Sequence, residues 1–253
     1  MRGWEKLKSY GEREVLSRKN GINAVAYRIH IKDSSLKSRI VFLSDLHMDE
    51  TSSPLSEIAE FINCFCPDFI IFGGDVASMS SALEDAFAFL KTLRAKEAKF
   101  SVLGNWDMKK SRCKNMSYWL AEYHKSGFSL LCDSSKLLGK ILFHGFPMSR
   151  GVGISGELPF PKEYCKIMIA HSPDDIVTYK HRFELAFSGH THAGQIRFPL
   201  IGSLKTSSKY WKNFDYGLFQ RDDGSKLIVS SGIGTSCLPI RMLCEPEIVV
   251  VDI

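Results

Sequence analysis

From residue 39 the chain alternates between two hydrophobic periods. Ile40-Val41-Phe42-Leu43 is a short unbroken apolar run of the kind a buried strand presents, and Leu55, Ile58, Ala59, Ile62 and Phe65 then recur at helical spacing. Pro67-Asp68 stops that helix, within which Cys64 and Cys66 are expected to fall. A second run, Phe69-Ile70-Ile71-Phe72, ends in Gly73-Gly74-Asp75; Leu83, Ala86, Phe87, Leu90 and Leu93 predict another amphipathic helix, and a third strand is expected near 100–103. This β-α-β-α-β order predicts a largely parallel or mixed sheet covered by helices, with functional groups beyond the carboxyl ends of the strands. The second half is richer in strands, expected near 129–132, 138–143, 166–170, 185–188, 226–230 and 247–253, with extended loops at 148–163 and 205–215. With no repeat or long linker, one domain is expected over 1–253, residues 1–38 being a basic N-terminal segment and first strand.

Composition narrows the class. The 253 residues are 44% hydrophobic and 24% charged, enough for a large core and unlike a disordered chain or a small disulfide scaffold. The net charge of +5 suits an anionic substrate or a membrane surface better than duplex nucleic acid, and residues 1–19 hold six basic side chains against three acidic ones. No apolar run approaches the roughly 18 residues that cross a bilayer, and the N-terminus lacks the pattern of a signal peptide. Seven cysteines, odd in number and without CxxC spacing, fit the reduced thiols of a cytoplasmic protein.

Polar residues gather where the apolar runs end: Asp45-x-His47, Gly74-Asp75, Gly104-Asn105-Trp106-Asp107, His171 and Gly189-His190-Thr191-His192. Imidazole nitrogens combined with carboxylate and amide oxygens, without thiolate, favour Mn²⁺, Fe²⁺ or Zn²⁺. Seven potential ligands exceed what one ion takes. They suit two ions about 3.5–4 Å apart with one shared carboxylate, an arrangement that clamps the attacking and leaving oxygens of phosphoryl transfer. Singly, each of these histidines would be an ordinary core or surface residue; their common placement at strand ends argues otherwise. His30, His124, His144 and His181 have no such support and are read as structural, and Asp174 and Asp175 as residues of a helix N-terminus after Ser172-Pro173.

In order and spacing these blocks resemble the calcineurin-like metallophosphoesterases, whose motifs are DxH, GD, GNH(D/E), a lone H and GHxH. The resemblance covers about residue 40 to the C-terminus. It implies an α/β fold, a four-layered α/β/β/α sandwich. It also implies that Asp45, His47 and His192 hold one metal, that Asn105, His171 and His190 hold the other, and that Asp75 bridges them. Asp75 and Asn105 would act in catalysis, with Asp107 buttressing the site. The stretches Gly189-His190-Thr191-His192-Ala193-Gly194-Gln195, Ser231-Gly232-Ile233-Gly234-Thr235-Ser236 and Pro239-Ile240-Arg241 are similar to the branch with bacterial membrane-associated phosphodiesterases and a UDP-2,3-diacylglucosamine pyrophosphatase of lipid A synthesis.

Two positions depart from the family pattern. Ala193 replaces a glycine, a change expected to matter only if the backbone there needs positive φ. Trp106 replaces the histidine expected to protonate the leaving oxygen, and an indole N–H cannot deliver a proton near neutral pH. An alkoxide would miss that proton, whereas a phosphate, with a second pKa of about 6, departs as an anion. The substitution therefore points to a pyrophosphate bond.

The resemblance and Trp106 together imply hydrolysis of UDP-2,3-diacylglucosamine to UMP and 2,3-diacylglucosamine 1-phosphate with two divalent ions, Mn²⁺ foremost. The expected place is the inner face of the cytoplasmic membrane, held peripherally, with no nucleic-acid or obligate protein partner. A broader phosphodiesterase or phosphatase and a non-catalytic metal-binding scaffold are the alternatives. For the substrate side, Trp106, Lys109, Lys110, Arg112 and Arg197 are candidates, the basic run to Lys114 being either a diphosphate site or a solvated helix face. Met116, Trp119, Leu120 and Tyr123 form a stripe read as core before acyl groove, and Lys209-Tyr210-Trp211-Lys212 has the basic-aromatic mixture of a membrane interface.

Overall fold

The structure, a computed structural model, describes residues 3–7, 13–29, 36–49, 55–109, 114–148, 156, 161 and 163–253. Along the chain come β1 (Trp4–Lys6), β2 (Arg13–Lys19), β3 (Ile22–Arg28), β4 (Arg39–Leu43), α1 (Leu55–Asn63), β5 (Phe69–Phe72), α2 (Leu83–Thr92) and β6 (Ala98–Ser101). Then follow α3 (Met116–Lys125), β7 (Ser129–Leu130), β8 (Ser134–Leu138), β9 (Ile141–Gly145), β10 (Cys165–Ile169), α4 (Pro173–Thr178) and β11 (Leu185–Ser188). The last strands are β12 (Arg197–Phe198), β13 (Gly202–Ser203), β14 (Gly217–Arg221), β15 (Lys226–Val229) and β16 (Glu247–Asp252).

Two mixed seven-stranded sheets face each other, ordered β2-β3-β16-β4-β5-β6-β7 and β1-β14-β15-β11-β10-β9-β8. Strands β4 to β7 run parallel in the first; β9, β10, β11 and β15 run parallel in the second. Alternation along each strand divides the core. Ile40, Phe42, Phe69, Ile71 and Phe100 meet Phe143, Ile167, Ile169, Leu185 and Phe187 between the sheets. Val41, Leu43, Ile70 and Phe72 turn outward beneath α1, α2 and α3, with Trp119 and Tyr123 fully buried there. Met168, Ala186, Leu227 and Val229 pack on the opposite outer face with Ile176 of α4. The layers are thus α/β/β/α, a mixed α/β fold.

Local expectations differ from the structure in five places. Helix α1 ends at Asn63, so Cys64 and Cys66 lie beyond it, Cys66 at φ +49° in the turn that leads to Pro67. The stretch 138–143 is a hairpin, with Gly139 at φ +55° reversing the chain between β8 and β9. Asn20 and Gly21, at φ +50° and +78°, turn β2 into β3, a hairpin signal that the basic composition of the segment masked. The basic residues of 1–19 that lie among the described ones are paired: Lys6 with Asp215, Arg13 with Glu247, Arg18 with Glu245 and Lys19 with Glu60. Of the Met116-to-Tyr123 stripe only Trp119 and Tyr123 are core, while Met116 and Leu120 are exposed. The six described cysteines are free thiols.

Candidate dinuclear metal site

The carboxyl ends of β4 and β5 and the turn beyond β6 meet the carboxyl ends of β10 and β11. Asp45 and His47 follow β4, Asp75 follows β5, Asn105 lies beyond β6, His171 follows β10, and His190 and His192 follow β11. Five of these seven residues occupy the left-handed region, with φ of +54° at Asp45, +46° at His47, +57° at Asp75, +69° at His190 and +49° at His192. That conformation is costly for a side chain with a Cβ and persists only where the surroundings hold it. Here backbone bonds do so: Asp45 N–H donates to the Gly74 carbonyl and His47 N–H to the Asp75 carbonyl, both at 3.0 Å. Glycines make the room, since a Cβ on Gly104 would run into the Asp75 carboxylate and one on Gly189 into that of Asp45.

The buried ligand atoms fall into two sets, Asp45 with His47 and His192, and Asp45 with Asp75 and His171, the atoms of each set lying within 4.8 Å of one another. His47 Nε2 and His192 Nε2 are 3.1 Å apart. His171 Nε2 lies 3.0 Å from Asn105 Oδ1, 3.1 Å from His190 Nδ1 and 3.4 Å from Asp75 Oδ2. Asp75 Oδ2 is also 3.4 Å from His47 Nε2, so this carboxylate stands between the two groups. The His171 Nδ1–H donates to the Gly73 carbonyl at 2.8 Å, which turns its Nε2 into the cluster.

A divalent pair fits this donor set. Ring nitrogens and carboxylate oxygens converge at distances where their lone pairs repel unless positive charge lies among them. Burial lowers His47 and His190 to about 4, keeping both neutral, as metal ligands must be. At His171 burial opposes the charge, yet the Asp75 and Asp45 carboxylates prevail and raise it to about 10, a measure of the negative field a cation would meet. Burial likewise opposes ionisation of Asp75, and His171 and His47 hold it well below the usual carboxylate range.

Asp107 does not face the cluster. Its carboxylate accepts the backbone N–H groups of Asp75 (2.9 Å), Val76 (3.1 Å) and Gly104 (2.8 Å), tying the turn beyond β6 to the one after β5. Burial, then the nearby Asp75 charge, raises its pKa to about 6. The Trp106 backbone N–H donates to Asp75 Oδ1 at 2.7 Å, and its indole meets His47 edge to face, centroids 5.3 Å apart, with the Lys109 ammonium over its ring. Lys110 and Arg112 lie outside the described residues, and Lys114 sits over Tyr118 of α3. Arg197, a candidate for a phosphate contact, donates from its Nη1 to the Ala193 carbonyl and the Asp215 carboxylate, both at 2.8 Å, and braces the backbone after His192. Ala193 itself has φ +51°, so the family's glycine answers a real backbone need at this point.

Other contributors carried no motif signal. Ser78 Oγ lies 3.2 Å from His47 Nδ1. Asp174 not only starts α4 but accepts Ser208 Oγ–H at 2.6 Å and Lys209 N–H at 3.0 Å, docking the 205–215 loop beside His190. Arg241 donates to the carbonyls of Ser231 and Gly232, and Gly232 packs so closely on Asp45 that a Cβ there would lie 2.8 Å from the Asp45 Cβ. A composition bias or spacing reveals none of these pairings, because most join segments far apart in sequence.

A double-triad cradle at the joined ends of two sheets defines a metal-dependent phosphoester hydrolase. Residues 38–194 match the calcineurin-like phosphoesterase family, and the chain belongs to it. It is 29% identical over 232 residues to Bacillus subtilis YkuE, an uncharacterized metallophosphoesterase, spanning 84% of this chain and 77% of that one. It is 27% identical to the Escherichia coli phosphodiesterase YaeI, spanning 88% of this chain and 84% of YaeI. To an uncharacterized metallophosphoesterase of Campylobacter jejuni it is 26% identical over 85% of this chain but 59% of the relative, which is the longer protein.

Proposed function

We propose that the protein hydrolyses the pyrophosphate bond of UDP-2,3-diacylglucosamine, giving UMP and 2,3-diacylglucosamine 1-phosphate, with Mn²⁺ in both positions. The observation that carries this reading is Trp106, which occupies the flank of the cluster beside His47, where a general acid would be needed for an alkoxide leaving group. Asp45, His47 and His192 would hold one ion, and Asn105, His171 and His190 the other, with Asp75 shared. The ions supply Lewis acidity, lowering the pKa of water and offsetting charge on the phosphate oxygens.

Water attacks one phosphorus in line with the bridging oxygen; its oxygen joins that phosphorus, one of its protons passes to solvent, and the bridging oxygen keeps the electron pair of the broken P–O bond and departs with the other phosphate. The leaving phosphate needs no proton near neutrality, so an indole is tolerated where an imidazole would serve a monoesterase. Asp107 holds the turns that carry Asp75 and Asn105 in register. Lys109, above the indole, supplies a positive charge for the diphosphate.

A broader phosphodiesterase is favoured by one finding, the name of the YaeI relative. An aryl phosphomonoester, an aryl phosphodiester, UDP-glucosamine and its 2,3-diacyl form, each with Mn²⁺ in mixed detergent micelles, separate the readings. Preferential turnover of the diacyl nucleotide is expected. Turnover of the aryl esters alone would leave the broader phosphodiesterase.

A further inference from the structure

Of the sixteen large hydrophobic residues that are exposed among the described ones, nine lie within 198–243: Phe198, Leu200, Ile201, Leu204, Trp211, Leu238, Ile240, Met242 and Leu243. Hydrogen bonds gather their segments on one side of the molecule. The β12–β13 hairpin carries Pro199, Leu200 and Ile201 at its tip; Arg197 N–H donates to the Met242 carbonyl and Met242 N–H to the Gln195 carbonyl, each at 2.9 Å. Gln195 Nε2 donates to the carbonyls of Leu238 and Ile240, and Lys212, next to Trp211, donates to the Ile201 carbonyl.

Three of these residues combine exposure with a backbone unsuited to them. Leu200, Trp211 and Leu243 have φ of +68°, +52° and +51° and are 108%, 59% and 68% exposed. At an exposed turn glycine or asparagine meets that geometry at lower cost, so a large apolar side chain there is retained at the expense of the isolated fold. The charge within these segments has one sign, and Glu245, just beyond them, is paired with Arg18. Residues 194–214 and 231–244 contain no Asp or Glu, and Lys205, Lys209 and Lys212 are exposed among the apolar tips.

We infer that this face docks on an anionic lipid surface, with Leu200, Ile201, Trp211 and Leu243 entering the acyl boundary and Lys205, Lys209 and Lys212 meeting the headgroup phosphates. Aliphatic side chains and a Trp projecting from several turns, ringed by lysines, match the interfacial layer, where each apolar side chain leaves water and each lysine gains from the surface potential. The same segments reach the cradle: Cys244 S–H donates to the His192 carbonyl at 3.2 Å, and Gln195 lies three residues after His192. Docking therefore brings the metal site to the bilayer. The proposal deepens the lipid-nucleotide reading and rests on it for its purpose, while its geometry stands independently.

The test is flotation of the full chain with phosphatidylcholine vesicles, with and without about 30% phosphatidylglycerol, following Trp emission. Wild type is expected to float with the anionic vesicles with a blue shift, and Leu200→Ser/Leu243→Ser to bind about tenfold more weakly while turning over a soluble aryl phosphodiester as wild type does. Leu120→Ser on α3, exposed elsewhere, should bind as wild type. Equal binding by the double variant overturns the proposal. So does failure of wild type to bind, with a concentration-dependent dimer in size exclusion that the double variant abolishes assigning the face to a second copy. Binding without turnover of the diacyl nucleotide would remove the substrate reading and leave the docking face; turnover in micelles without binding would do the reverse.

Discussion

The metal cradle and the apolar rim both contain non-glycine residues with positive φ, but the two regions sustain that backbone differently. In the cradle, Asp45, His47 and Asp75 are buried, and their strained turns are knit by bonds between successive strand ends and by the Asp107 carboxylate. In the rim, Leu200, Trp211 and Leu243 carry the same conformation into solvent, and their side chains are largely exposed. Strain held from all sides organises chemistry, because each ligand atom is fixed before a cation arrives. Strain at an exposed apolar tip organises nothing within the chain. The difference separates what performs hydrolysis from what, in the proposed docking, would select where it occurs.

That comparison can be broken from the cradle side first. Asp75→Asn is expected to lower kcat on an aryl phosphodiester by about 10³-fold or more and to reduce bound metal measured by atomic emission. Wild-type metal content in that variant would show that Asp75 is not shared between ions. Asp107→Ala leaves three buried N–H groups without their acceptor; a loss of about 3 kcal/mol in urea unfolding is expected, with a 10- to 100-fold loss of activity at saturating metal, roughly the cost of removing a ligand's support. Trp106→His sharpens the leaving-group argument: the ratio of alkyl monoester to diphosphate turnover should rise about 10²-fold, and an unchanged ratio would sink it.

His144 serves as a control away from both regions. It is buried against Phe146, its Nδ1 2.8 Å from Ser135 Oγ, and burial lowers its pKa from 6.5 to about 4. The unfolded chain therefore takes up the proton first as pH falls. The contribution of neutral His144 is complete above about 6.5 and is lost progressively down to about 4, amounting to roughly 3 kcal/mol. Urea midpoints across that window should fall less steeply in His144→Phe. The smallest effect is expected for Ala193→Gly, which relieves a positive φ of +51° and should stabilise by about 0.5–1 kcal/mol in thermal unfolding without changing kcat.

The buried strands β4 and β5 and the helices after them were legible because continuous apolar runs and helical spacing act within a few residues. The candidate cradle residues were legible for a related reason: the chain places each within a few residues of a strand end, and parallel strands bring their carboxyl ends to one edge. The hairpin at 138–143 and the end of α1 at Asn63 were not, since a two-residue turn and a helix terminus leave little trace in an apolar pattern.

Sequence alone determined the inventory of donors, the order of the strands that carry them and the absence of an imidazole at position 106. The tertiary structure decided the pairings among distant segments. It turned Asp107 inward to three backbone N–H groups, committed Arg197 to Asp215, paired Lys6, Arg13 and Arg18 with distant carboxylates and drew the 198–204 and 238–243 tips to one face. Such pairings depend on where chains cross after collapse, and a one-dimensional pattern records residue type and spacing but not which distant partner a side chain meets.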